Sequence, residues 1–234
     1  MTVRRDGELA IHCTCLLIEA GGQRTLVDTG FGDSLRTDRH HSLLVSLDAV
    51  GMRPEDIGWV ILTHTHGDHA GGTTRRAGDG WVPTFREAEY VVQDREVAAM
   101  RDRDDAFWRT RFQPLVDHGQ LRLINGDGAL DGYVACRLTP GHTRGHQAVM
   151  ISTPLGDAIF LGDLAVLTRN LEHPEWNPSW AWSTEEDISS RRAIIALAAR
   201  TGALVIVGHD PERPFVHVAL DGDRAKVTDA PRDA

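Results

Sequence analysis

The stretch Thr63-His64-Thr65-His66-Gly67-Asp68-His69 constrains this chain more than any other, because four potential metal ligands fall between His64 and His69. They come directly after the continuously apolar run Trp59-Val60-Ile61-Leu62, which reads as a short buried strand. Alternation along an extended chain puts His64 and His66 on one side, while Asp68 and His69 lie in the turn beyond. Three imidazoles and a carboxylate beside an apolar strand are costly to bury unless a cation compensates them. One metal cannot use all four donors from so short a loop, whereas two adjacent metals can, with further ligands from elsewhere. Gly67, Gly71 and Gly72 are expected to let the backbone bend closely around the site.

Further ligands are available, each placed just after a strand candidate. Gly141-His142 follows the run from Tyr133 to Leu138, Gly162-Asp163 follows Ala158 to Leu161, and Gly208-His209 follows Leu204 to Val207. Donors at strand ends are held by rigid scaffolding, as a preorganised site requires. Of the 12 histidines, His12, His40, His41, His118 and His217 have no local partner for such chemistry and read as surface or hydrogen-bonded residues.

Along the chain, Ile11 to Ala20 is a β-rich run, and Gly21-Gly22 turns it into a second strand, Arg24 to Asp28. Residues 42–50 are expected to be helical, as are the charged residues 94–116, interrupted before Pro114. Other strand candidates are Glu89 to Val92, Gln120 to Ile124 and Ala148 to Ser152. Ser183-Thr184-Glu185-Glu186 is a capping box opening a helix that runs to about Arg200. No linker or repeat divides the 234 residues. An α/β class of two mixed sheets covered by outer helices, in one domain spanning 1–234, is the expected architecture.

A net charge of −9 with no lysine or arginine run excludes nucleic acid as a partner. No apolar run reaches the 18 or more residues of a membrane span, and the first eight residues lack a signal-peptide core, so a cytoplasmic protein is expected. Three cysteines cannot all pair, which suits a reducing compartment; Cys13 and Cys15 read as small buried residues facing the same side of a strand. No Gly-x-Ser-x-Gly elbow, and no cysteine near the histidine cluster, offers a protein nucleophile.

From about residue 11 to residue 220 the chain resembles the metallo-β-lactamase-fold metallohydrolases. The resemblance rests on five segments in order: Leu26-Val27-Asp28-Thr29-Gly30, the His64–His69 cluster, Thr139-Pro140-Gly141-His142-Thr143, Gly162-Asp163 and Gly208-His209. It implies a four-layer αβ/βα sandwich. It also implies that His64, His66 and His142 hold a first metal, that Asp68, His69 and His209 hold a second, and that Asp163 bridges them. Asp28 would orient the ligands from behind. Within the superfamily the chain is most similar to the quorum-quenching N-acyl-homoserine lactonases, on Gly162-Asp163-Leu164, His173-Pro174, Trp176 and Gly208-His209-Asp210. It departs from some of them at Val166, where a tyrosine would supply an oxyanion donor, and Arg144 stands where a proline is common.

The resulting expectation is a hydrolase in which hydroxide held by two metals cleaves a small lactone or ester, with Asp68 and Asp163 handling the proton. An all-N/O donor set suits two Zn²⁺, and Mn²⁺, Fe²⁺ or Co²⁺ would also fit. The stretch Leu164 to Ser183 carries His173, Trp176, Trp180 and Trp182, which read as one wall of a small-molecule substrate pocket. The same tryptophans could instead bury the loop or face an oligomer partner, a homodimer being the simplest form. Two other chemistries use nearly the same ligands: phosphoester or organophosphate hydrolysis, and a diiron sulfur dioxygenase.

Overall fold

A computed structural model describes residues 11–34, 42–154 and 156–231. The opening segment read for a targeting signal, and His40 and His41, lie outside the described residues. The chain divides into two compact units: Thr14–Gly126, and Asp127–Ala234 together with Met1–Cys13.

The Thr14–Gly126 unit contains strands β1 (Leu16–Ala20), β2 (Gln23–Val27), β3 (Trp59–Ile61), β4 (Thr74–Ala77), β5 (Gly80–Pro83), β6 (Glu89–Gln93) and β7 (Leu121–Ile124). Five of these form a sheet in the order β1-β2-β3-β6-β7. The β1–β2 hairpin is antiparallel and the other three pairings are parallel. Strands β3 and β6 read as apolar runs because they are covered, as parallel strands usually are. Leu26, Val60, Leu62, Tyr90 and Val92 pack with Leu47, Val97, Met100 and Leu115 from the helical segments. Because β2 and β3 run parallel, Asp28 and the Thr63–His69 loop leave the sheet at the same edge, the edge where ligands bind in such sheets.

Two expectations change here. The β-rich run from Ile11 is a strand only from Leu16, where pairing with Val27 begins. The Ile11–Cys13 segment instead belongs to the other unit, where the His12 N–H donates to the His209 carbonyl at 3.1 Å. Cys13 and Cys15 are therefore outside a strand and only partly buried. The expected 94–116 helix is broken into Asp94–Arg103, Asp105–Phe107, a π turn at Trp108–Phe112, and Gln113–Asp117. The Asp104 carboxylate caps a new start by accepting from the Phe107 N–H at 2.9 Å, and Pro114 sits in the first turn of the last piece, where its missing N–H costs nothing. The β4–β5 hairpin was not anticipated; its Trp81 lies under the guanidinium groups of Arg76 and Arg111, at 5.2 and 4.0 Å.

The second unit contains β8 (Gly128–Ala129), β9 (Val134–Leu138), β10 (Gln147–Thr153), β11 (Gly156–Phe160), β12 (Leu204–Ile206), β13 (Phe215–Asp221) and β14 (Arg224–Asp229). They form one sheet in the order β14-β13-β12-β11-β10-β9-β8, antiparallel except at β11–β12. The helix Thr184–Thr201 connects those two parallel strands. Its Ser183 hydroxyl accepts from the Glu186 N–H as the capping box predicts, and Gly202 ends it in the left-handed conformation. Ile194, Ile195 and Ala198 bury against Ala148, Ile159, Val205 and Val216. Asp163 follows β11 and His209 follows β12, so both emerge at one edge of the sheet, while His142 lies on the β9–β10 connection.

Candidate metal centre

In the first unit the ligand loop alternates as its sequence requires. Thr63 and Thr65 bond buried carboxylates, while His64 and His66 gather their rings. Thr63 donates from its backbone N–H to Asp28 Oδ1 at 2.8 Å and from its hydroxyl to Asp28 Oδ2 at 2.8 Å. Thr65 donates its N–H and hydroxyl to Glu96 Oε1, at 3.1 and 2.9 Å. Between these anchors His64 Nε2 and His66 Nδ1 lie 2.9 Å apart, and the His64 and His69 rings are centred 4.1 Å apart. His69 Nδ1 donates to Asp28 Oδ2 at 2.8 Å, leaving Nε2 facing Asp68 Oδ2 at 3.4 Å. Asp28 is the one described non-glycine residue with positive φ, 60°, a conformation aspartate tolerates better than most. Gly72 is needed where it is: a Cβ there would sit 2.3 Å from the Thr29 carbonyl oxygen. Gly67 meets open space, so it is not one of the steric requirements of the loop.

In the second unit Asp163 lies between two imidazoles. Its Oδ2 is 3.1 Å from His142 Nε2 and its Oδ1 is 2.7 Å from His209 Nε2. The His209 ring is fixed from behind, its Nδ1–H donating to the His12 carbonyl. The backbone N–H of Asp163 donates to His146 Nε2 at 3.1 Å, so Nδ1 carries the proton of that ring and bonds Thr139 Oγ1 at 2.8 Å.

These arrangements fit metal ions. Histidines that ligate metals commit the other ring nitrogen to a carboxylate, carbonyl or hydroxyl. His69 does so with Asp28, His209 with the His12 carbonyl and His64 with Thr63 Oγ1 at 3.1 Å. Each then presents Nε2 toward other donors. Lys226, the chain's one lysine, bonds Asp221 instead. The gathered histidines and aspartates offer nitrogens and carboxylate oxygens, suited to zinc and its neighbours in the first transition row.

The model of the metallo-beta-lactamase superfamily matches residues 10–209. The chain belongs to this superfamily. The N-acyl homoserine lactonase AttM of Azorhizobium caulinodans is 31% identical over 177 residues, 72% of this chain and 64% of that protein. This chain thus spans a little under two thirds of that relative. An N-acyl homoserine lactonase of Bacillus cereus is 25% identical over 218 residues, 85% of this chain and 81% of that protein. Among solved structures, AidC, a dizinc quorum-quenching lactonase with a bound product, superposes with a TM-score of 0.76 at 21% identity, covering 93% of this chain and 79% of that one. The family match and this likeness establish the metallo-β-lactamase fold: mixed sheets with helices, in the α/β class.

The structure brings His64, His66, Asp68 and His69 together with Asp28 in one unit, and His142, Asp163 and His209 together in the other. The indoles of the 164–183 stretch are not buried by their loop: Trp176, Trp180 and Trp182 are 47%, 66% and 47% exposed. His173 stacks on Trp176 with ring centroids 4.1 Å apart. Trp182 is tied to the His142 loop, its backbone N–H donating to the His142 carbonyl at 3.0 Å, and the Arg144 guanidinium lies 5.4 Å from its ring. Behind this loop Asp187 and Arg191 form a fully buried ion pair. Burial pushes the Asp187 carboxyl up to about 6, against the opposing pull of Arg191 and the His142 backbone N–H.

Sequence reasoning overlooked His146, Glu96 and the His12 carbonyl. His146 had a signal, four residues after His142 and beside Gly145. Glu96 and the His12 carbonyl act across long separations that no local pattern reports.

Proposed function

We propose that this chain is a metal-dependent hydrolase that opens the ring of a small lactone, an N-acyl homoserine lactone by analogy with its relatives. The observation that carries this reading is Asp163, whose two oxygens each face a different imidazole, the arrangement a carboxylate shared between two cations requires. On this reading His64, His66 and His142 hold one metal, Asp68, His69 and His209 hold the other, and both units serve one hydrolase domain. We take the metals as zinc, and three free cysteines favour the cytoplasm as the setting. When bound, such ions would polarise a carbonyl and lower the pKa of water toward about 7.

The chain's own residues supply the rest. Asp68 and Asp163 accept the proton of the attacking water and return it to the leaving alkoxide oxygen. Asp28 and Glu96 keep the ligand loop from relaxing as charge moves, through paired bonds to Thr63 and Thr65. Trp176, Trp180 and Trp182, with His173, offer apolar contact to the acyl group. Val166 provides no phenolic donor for the oxyanion.

The test is a substrate panel on zinc- and manganese-loaded protein: N-acyl homoserine lactones, aryl esters, a phosphotriester and a cephalosporin, with proton release as the readout. Lactones should be preferred, and His66→Ala should lose nearly all turnover. Lactone turnover that survives complete metal removal, or a phosphotriester turned over faster than every lactone, contradicts the proposal. Oxygen uptake with a persulfide substrate would identify a sulfur dioxygenase instead.

A further inference from the structure

Arg191 is buried to 1% exposure in the middle of the Thr184–Thr201 helix, yet its guanidinium mostly does not serve that helix. Nε donates to the Leu164 carbonyl at 2.6 Å, and Nη1 donates to the carbonyls of Pro174 and Trp176 at 2.7 and 3.1 Å. Nη2 donates to Asn177 Oδ1 at 2.9 Å and to Asp187. One planar fork thus reaches the residue after Asp163 and three positions of the tryptophan-bearing stretch. A buried charge removed from water is costly, and burying it against backbone carbonyls is justified where those carbonyls must be held in one arrangement. The held segment is irregular: apart from the short helix Arg169–Glu172, it runs from Ala165 to Ser183 without an element of its own. Its indoles are exposed; Trp176 stacks on His173, and its carbonyl accepts from Asn170 Nδ2 at 3.1 Å as well as from Arg191.

We infer that Arg191 is a positioning residue that sets the shape of the tryptophan-bearing loop and thereby the chain-length selectivity for the acyl group. The selectivity rests on the lactonase reading above; the hold on the loop does not. Lysine at this position keeps the positive charge beside Asp187, but as a point charge on a flexible stem it cannot reach the Leu164, Pro174, Trp176 and Asn177 partners together. Arg191→Lys therefore separates the fork from the ion pair. Asn177→Ala removes a single partner at a half-buried position and leaves the pair intact.

The experiment compares wild type, Arg191→Lys and Asn177→Ala, all zinc-loaded, by amide hydrogen exchange and by kcat/KM on a short-chain and a long-chain N-acyl homoserine lactone. Exchange over residues 165–182 should quicken in Arg191→Lys relative to β10 and β11, with zinc content retained. The long-to-short ratio of kcat/KM should fall by about tenfold, the scale of a lost apolar contact, and by less in Asn177→Ala. Unchanged exchange in both variants overturns the inference, and so does an equal loss on both lactones. If wild type opens no lactone, the functional reading fails, and exchange alone decides whether Arg191 fixes the loop.

Discussion

Asp28 concentrates several duties in one side chain: it anchors the Thr63 N–H and hydroxyl, orients His69, and holds a left-handed backbone. Asp28→Asn keeps the shape and the tolerance for positive φ but loses the charge and one acceptor. Zinc affinity, measured by competition with a chromophoric chelator, should weaken by about 10- to 100-fold, while the fold persists. Unchanged affinity would show that Asp28 is only a turn residue. His146 makes a complementary case. His146→Ala leaves the Asp163 N–H without its buried acceptor and removes the ring N–H that Thr139 Oγ1 accepts, a loss of about 2 kcal/mol. In a chain of this size that lowers Tm by about 4–8 °C, which calorimetry can read directly. At this scale the gathering of histidines and carboxylates within each unit was legible, because imidazoles and carboxylates so densely spaced have few other uses. Their supports were not, since Glu96 meets Thr65 from 31 positions away and His12 meets His209 from 197.

Among the elements, the contact between the His142 loop and the start of the Thr184–Thr201 helix is the tightest. Gly141 has φ 139°, and a Cβ there would lie 2.1 Å from both the backbone N and the Cα of Asp187. Backbone cannot yield as a flexible side chain would, so Gly141→Ala should push the helix start from the loop and cost about 3 kcal/mol or more. Ser183→Ala removes only the cap and should cost about 1 kcal/mol. Urea denaturation of the two variants should give that order, and equal midpoints would contradict the packing account. The long helix was legible because its capping box, apolar spacing and terminal glycine agree. The 94–116 region was less so: its charge pattern suits a helix throughout, while Asp104 and the π turn that divide it respond to packing. The β13–β14 hairpin carried a β-rich Phe215–Leu220 run and a Gly222-Asp223 turn, a signal present but unused. The β4–β5 strands are short, and Arg75 and Arg76 hid them.

For the whole molecule, the fold class followed from the order of strands, helices and histidine-bearing strand ends, and the superfamily match over residues 10–209 agrees with it. No described helix is long and apolar enough to cross a membrane. Ligand groups gathered without a cation repel or compete for protons, so chelator treatment should lower Tm, and zinc should restore it in proportion to its free concentration. The most direct measurement is the metal content per chain of purified, zinc-equilibrated protein, by elemental analysis, for wild type, His66→Ala and Asp163→Ala. The account predicts two zinc ions in wild type, loss of metal in His66→Ala, and loss of both in Asp163→Ala, where the shared carboxylate is gone. Wild-type protein that binds no zinc, or an Asp163→Ala variant that still holds two, would contradict it.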